Sequence, residues 1–104
     1  MIRVVFTKKS GSFFKVSVSG HAGYEDSGRD IVCAAVTSAV QLTANSITEV
    51  FEINAKVSVK AAEVVIDVSD FNVTAGKLME ALYLHLDILS QEYSDYIEIT
   101  VLEV

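Results

Sequence analysis

Residues 2–19, IRVVFTKKSGSFFKVSVS, decide the fold because they predict two strands joined by a short glycine-containing turn. Apolar and polar side chains alternate with the period of two that is typical of a strand, over residues 2–7 and again over residues 13–19. The apolar faces consist of Ile2, Val4 and Phe6, then Phe14, Val16 and Val18. Because the turn is too short for a parallel crossover, the pair is predicted to be an antiparallel hairpin.

The later elements follow from the same analysis of apolar spacing. We predict a helix from Asp30 to about Val50, strands over 56–60, 63–69 and 96–101, and a helix over 72–92 that begins after an Asn72 N-cap. The first of these strands is expected to point Val57 and Val59 inward, and the second helix to bury Leu78, Leu82, Leu86 and Leu89. The order ββαββαβ predicts an α+β fold, a mixed/antiparallel β-sheet with two α-helices packed on one face.

Size and composition favour one folded domain spanning residues 1–104. Apolar residues make up 51% of the chain and charged residues 21%, which is typical of an ordered protein. No uninterrupted apolar run approaches the roughly 18 residues of a membrane span, and residues 1–6 predict a strand and not a signal peptide. We therefore expect no membrane contact and a cytoplasmic location.

The charge of the chain limits its partners. Fourteen acidic residues against eight basic ones give a net charge of -6, which argues against direct nucleic-acid binding. Such a surface would attract a basic protein, although it also serves ordinary solubility. On the predicted sheet, Val5, Phe13 and Val65 would need cover on the face without helices, and a homodimer is one way to provide it.

Residues 20–35, GHAGYEDSGRDIVCAA, contain the chemically distinctive side chains. Cys33 is the only cysteine, so an intramolecular disulfide is excluded, and His21 lies twelve positions before it. As a helix N-cap, Asp30 would place Cys33 in the first turn, where unpaired N–H groups and the helix dipole favour a thiolate. Cys33 and His21 are therefore candidates for a nucleophile and its base.

The same stretch predicts the rest of an acyl-transfer site. Backbone N–H groups at the helix start are suited to an oxyanion, and His21 could protonate a leaving amine. A loop containing Gly20, Gly23 and Gly28 would act as a lid over an extended peptide.

Each of these features also has a purely structural interpretation. Cys33 could be a small buried apolar residue, His21 a turn residue and Asp30 only a cap. One cysteine with two distant histidines, His21 and His85, is too few for a structural zinc site, and no phosphate-binding glycine loop is present. We therefore expect neither a metal nor a cofactor.

The combination Gly20-His21-Ala22, Tyr24, Gly28 and residues 30–36, DIVCAAV, resembles the ribosomal-processing cysteine protease family, Prp. The resemblance implies a bacterial cytoplasmic endopeptidase, usually a homodimer, that removes the N-terminal extension from the precursor of a basic large-subunit ribosomal protein. It implies cleavage after an apolar segment ending in paired phenylalanines. Cys33 would be the nucleophile, and His21 the general acid and base.

The resemblance extends to further residues of the site. Asp30 matches an acidic position that would orient the site or cap the helix. Where the family commonly has serine four residues after the cysteine, this chain has Thr37, followed by Ser38. Together with Gly20, Tyr24 and Gly28, these are candidate contacts to the substrate or the lid.

Two other functions remain open at this point. A non-catalytic ribosome-associated binding module could grip a basic peptide with the same loop, while Cys33 served only the core. A thiol redox sensor is a weaker alternative, because the chain contains no resolving cysteine.

Overall fold

The computed structural model describes residues 1–20 and 27–104, with residues 27–30 described by their backbone alone. The elements are β1 (Ile2–Lys9), β2 (Ser12–Ser19), α1 (Ser27–Asn45) with a π-helical turn (Ser46–Val50), β3 (Lys56–Lys60), β4 (Glu63–Asp67), α2 (Val73–Glu92) and β5 (Ile97–Glu103). Within these residues, five strands form one sheet in the order β3-β4-β2-β1-β5. The predicted order ββαββαβ and the α+β class are confirmed.

The sheet is mixed. β2 pairs antiparallel with β1 and β4, β3 pairs antiparallel with β4, and β5 pairs parallel with β1, where Ile2 is opposite Ile97. One cross-strand row, Phe6–Val16–Ile66, is fully buried together with Met79 of α2. Side chains in such a row share a sheet face, so this face is the one that packs against the helices.

A β-bulge near the β1–β2 turn changes which phenylalanine is buried. Thr7 pairs with Lys15, but Lys8 pairs with Phe13, so Phe14 is the additional residue. An additional residue reverses the alternation beyond it, and the inward orientation predicted for Phe14 is wrong. Phe13 is buried instead, with its ring centroid 5.2 Å from that of Phe6 and 5.5 Å from that of Tyr83.

The first helix packs against the sheet through a regular stripe and then changes its winding. Its buried positions are Val32, Val36, Val40, Thr43 and Ile47. In the π-helical turn, the Phe51 N–H donates to the Ser46 carbonyl at 2.9 Å, an i→i+5 bond. This wider winding turns Val50 away from the stripe, so Val50 is 71% exposed although regular helical spacing would continue the stripe to it.

β3 is an edge strand, and its exposure differs from the prediction. Val57 is 39% exposed and Val59 is 73% exposed, although both lie on the sheet face that carries the helices. The period of two predicts which face a side chain occupies, but not whether a helix reaches far enough to cover it. The predicted inward orientation of both valines is therefore confirmed, but neither side chain is buried.

The second helix agrees more closely with its prediction. The Asn72 side chain accepts a hydrogen bond from the Ala75 N–H at 2.9 Å, which confirms the N-cap. Leu82 and Leu86 are buried as expected. The stripe is nevertheless centred on Met79, and Leu78 and Leu89 are only partly buried at its margin.

The stretch formed by α1 and its π-helical turn is rich in apolar residues. In the described residues, one helical stretch, Ile31–Val50, has the length and mean hydropathy (1.4) that would suffice to cross a membrane. The core helix of a folded domain meets the same criteria, and the inward stripe of this one is buried in the core.

The bulge makes Phe13 and Phe14 a matched pair for a stability measurement. We expect Phe13→Ala to lower the free energy of unfolding by about 3–5 kcal/mol, because it removes a buried ring and leaves a cavity. Phe14→Ala should cost less than half as much, since Phe14 is only partly buried. Urea denaturation measures both, and equal losses would contradict the register described here.

Candidate active site

Cys33 lies on α1 between two residues of the buried stripe, Val32 and Val36, and is itself half-buried. Its side chain packs at the margin of the core. The helix begins at Ser27, one turn earlier than the sequence predicted, so Cys33 is its seventh residue. The predicted N-cap role of Asp30 is therefore wrong, because this residue already lies within the helix.

The earlier start has a physical basis and a chemical consequence. Residues 27–30 contain neither proline nor a β-branched residue, so the helix can extend back over them. The helix dipole acts mainly within the first turn, and Cys33 lies in the second turn of α1 and not, as the sequence predicted, in the first.

Cys33 opens onto a cavity of about 220 Å³ between α1, the sheet and the β3–β4 turn. Val36 and Thr37 provide the helix side of this cavity, and Val18 and Val64 lie on the sheet side. The remaining lining residues belong to the ends of β1 and β2 and to the hairpin turn: Ile2, Gly20, Lys60, Ala61, Ala62 and Glu63.

Gly20 ends β2 at this cavity in a backbone conformation that suits only glycine. Its φ is +79°, and a Cβ at this position would collide with the Met1 carbonyl oxygen. The Gly20 N–H donates to the Ala62 carbonyl at 3.1 Å. Gly20 therefore fixes the direction in which the chain leaves β2, directly before His21.

The other predicted contact residues lie at different places in the structure. Thr37, one helical turn after Cys33, is exposed and lines the same cavity. Ser38 instead lines a groove between α1 and α2, which ends near His85. His21 and Tyr24 lie outside the described residues.

Gly28 and Asp30 lie in the helix and not in a loop before it. The backbone of both residues belongs to the first turn of α1, so the loop predicted to contain Gly28 does not include it. Their side-chain surroundings lie outside the description.

The β3–β4 turn lies at the site, although the sequence did not predict its contribution. The chain predicts a tight turn at Ala61-Ala62, but nothing in the local sequence indicates that it meets a helix thirty residues earlier. Only the register of β4 against β2, in which Val64 is opposite Val18, brings the turn to Cys33. Two larger cavities lie near Phe71, at the other end of the strands.

Metal ligands are not grouped in the described part of the chain. Among residues 1–20 and 27–104, no three histidine, cysteine, aspartate or glutamate side chains lie close enough together to hold a metal ion. The chemistry available beside Cys33 in these residues is that of a thiol, a threonine hydroxyl, the charged residues Lys60 and Glu63, and backbone groups.

Comparison with known proteins identifies a family. The family model described as cysteine protease Prp matches residues 1–98. No curated protein sequence is similar enough to the chain to count as a relative.

Solved structures share the fold. SMU.848 from Streptococcus mutans superposes with a TM-score of 0.89 at 23% identity, covering 100% of this chain and 96% of that one. The ribosomal processing protease Prp from Staphylococcus aureus in complex with a substrate peptide has a TM-score of 0.89 at 23% identity, covering 97% of this chain and 99% of that one. The same protease with a covalently linked product peptide has a TM-score of 0.86 at 24% identity, with the same coverage.

Gly20→Ala tests the geometry at the end of β2. The methyl group would meet a backbone carbonyl and would have to adopt a positive φ, so we expect a loss of about 1–3 kcal/mol in the free energy of unfolding. Gly11→Ala is the control, because Gly11 also has a positive φ, +78°, but open space around its Cβ position. Thermal denaturation compares the two, and an equal loss for both variants would exclude the contact with Met1 as the cause.

Proposed function

The chain belongs to the cysteine protease Prp family, and we propose that its nucleophile is Cys33. The enzyme is a cysteine peptidase, and a cysteine peptidase acts through a thiolate. The sequence contains a single cysteine. That cysteine lines a cavity between α1, the sheet and the β3–β4 turn, which is the observation that carries the proposal.

In the proposed reaction, His21 takes the proton of the Cys33 thiol. The thiolate sulfur attacks the carbonyl carbon of the scissile peptide bond and forms a tetrahedral intermediate. As this collapses, the C–N bond breaks, His21 gives its proton to the leaving amine, and a thioester remains on Cys33. Water, deprotonated by His21, then attacks the thioester carbon; the C–S bond breaks, the acid product leaves, and His21 returns its proton to the Cys33 sulfur.

The position of Gly20 supports the pairing of His21 with Cys33. Gly20 and Cys33 line the same cavity, and His21 is the next residue of the chain after Gly20. We assign the orientation of this pair to Asp30, as a carboxylate and not as a cap. The Thr37 hydroxyl is assigned to a contact with substrate near the sulfur.

The proposed substrate is the precursor of a basic large-subunit ribosomal protein, which loses its N-terminal extension after an apolar Phe-Phe segment. Supporting this, the Staphylococcus aureus relative is described as a ribosomal processing protease. The net charge of -6 would also attract a basic precursor. Gly20, Tyr24, Gly28 and Ser38 are retained as candidate contacts to the substrate or the lid.

We further propose that residues 1–104 form a single protease domain that acts in the bacterial cytoplasm as a homodimer. Val5 and Val65 support an association, because both are only half-buried on the sheet face without helices. This proposal includes no cofactor, no membrane contact and no direct contact with nucleic acid.

Cleavage of a peptide carrying the Phe-Phe segment tests the catalytic pair. We expect Cys33→Ala to lose at least about 1,000-fold in kcat, and His21→Ala about 100- to 10,000-fold, because a proton-transfer group is removed. His85→Ala is the matched control, since His85 is exposed on α2 and lies outside the Cys33 cavity. Normal turnover by Cys33→Ala would end the proposal.

Thiol labelling in the native state tests whether Cys33 serves chemistry or only packing. We expect a neutral thiol-reactive probe to modify native Cys33 near pH 7 faster than it modifies a cysteine in an unstructured peptide, because His21 would stabilise the thiolate. The His21→Ala variant should lose this advantage. Labelling that occurs only in denaturant would instead identify Cys33 as a core residue, as in the binding-module alternative.

A further inference from the structure

The cavity beside Cys33 is too small for the proposed substrate. It measures about 220 Å³, whereas sites for small ligands usually measure about 300–1,000 Å³. A peptide of several residues must therefore extend onto the surface that adjoins the cavity. The apolar part of that surface is where an apolar segment would lie.

One row of valines runs from the core through the cavity to the edge of the sheet. In the registers of the strands, Val4 lies opposite Val18, Val18 opposite Val64, and Val64 opposite Val59. Val4 is fully buried, Val18 and Val64 are half-buried and line the cavity, and Val59 is 73% exposed. The apolar surface of the cavity therefore continues along this row to the solvent-exposed edge strand β3.

The exposed valine pair, Val57 and Val59, lies on one face of β3 only. Val57 is 39% exposed and is opposite the buried Ile66. Lys56 and Ser58 alternate with the valines and therefore point to the opposite face, whereas Lys60, the last residue of β3, lines the Cys33 cavity. The exposed apolar surface of β3 is therefore on the side of the cavity.

The β3 edge is poorly suited to pair with β3 of a second copy of the chain. The sequence of β3, KVSVK, is palindromic, so an antiparallel pair centred on Ser58 would place Lys56 opposite Lys60. Like charges directly opposite each other destabilise a strand pair, and lysines on an edge strand disfavour such pairing.

We propose that the exposed valine pair binds an apolar side chain of the substrate and that Val59 helps to determine specificity. This rests on the proposed function. A ring or an aliphatic chain placed there would cover Val59 and Val57 while the backbone of the peptide continued to the sulfur of Cys33. The site selects an extended segment with a large apolar residue at one position near the scissile bond.

Peptide binding to the Cys33→Ala background tests the proposal without turnover. We expect Val59→Asp to weaken binding of the Phe-Phe peptide about 10-fold, because it places a charge where an apolar side chain would lie. At a site so exposed, a substitution changes stability little. Val59→Thr keeps the β-branched shape that strands favour and should weaken binding about 3-fold. It serves as a second variant in case Val59→Asp does not fold.

Val101→Asp is the matched control, because Val101 lies on the edge strand β5, on the same sheet face, and is 42% exposed. It should bind the peptide as the background does. A second peptide, with both phenylalanines replaced by alanine, should bind the background and Val59→Asp equally. Unchanged binding of the Phe-Phe peptide by Val59→Asp, or an equal loss in Val101→Asp, would overturn the proposal.

The proposed function fails by a different result. If the unaltered enzyme does not cleave the Phe-Phe peptide, the substrate assignment is wrong, whatever Val59→Asp does to binding. If cleavage proceeds and Val59→Asp leaves both binding and KM unchanged, only the role of the valine pair is wrong.

Discussion

The pairing of β2 with both β1 and β4 is the interaction on which the rest of the structure depends. This strand lies in the middle of the sheet, and its register with each neighbour places a continuous apolar face under the helices. The same registers bring the end of β2, the start of β1 and the β3–β4 turn together at one end of the sheet. Cys33 of α1 lines the cavity at this place, so the packing of the core and the location of the cavity have one cause.

Much of the fold could be predicted from the sequence because its signals are local. The period of two in β1 and β2 and the Asn72 cap of α2 predicted the type of each element and the start of α2. Two of the errors arose where one additional residue is accommodated in a strand or in a helical turn. The bulge at Phe14 and the π-helical turn after Asn45 each shift a regular repeat, and no local apolar pattern indicates such a shift.

The candidate site was less accessible to sequence analysis. Cys33 could be singled out because it is the only cysteine of the sequence, which needs no knowledge of the tertiary structure. The contribution of Ala61 and Ala62 to its cavity depends on strand register across the sheet, so their sequence carries no signal of it. The exposure of Val59 could not be predicted either, since it depends on where α1 lies relative to β3.

The parallel pairing of β1 with β5 has a consequence for protein synthesis. Ile2, which lines the Cys33 cavity, donates its N–H to Tyr96 at 2.8 Å and lies opposite Ile97. A ribosome completes β5 only after all the other elements, at about 5–20 residues per second. Until then β1 lacks one neighbour, and a wall of the cavity is not held in place. The nascent chain therefore completes the cavity beside Cys33 only after β5 has been synthesised.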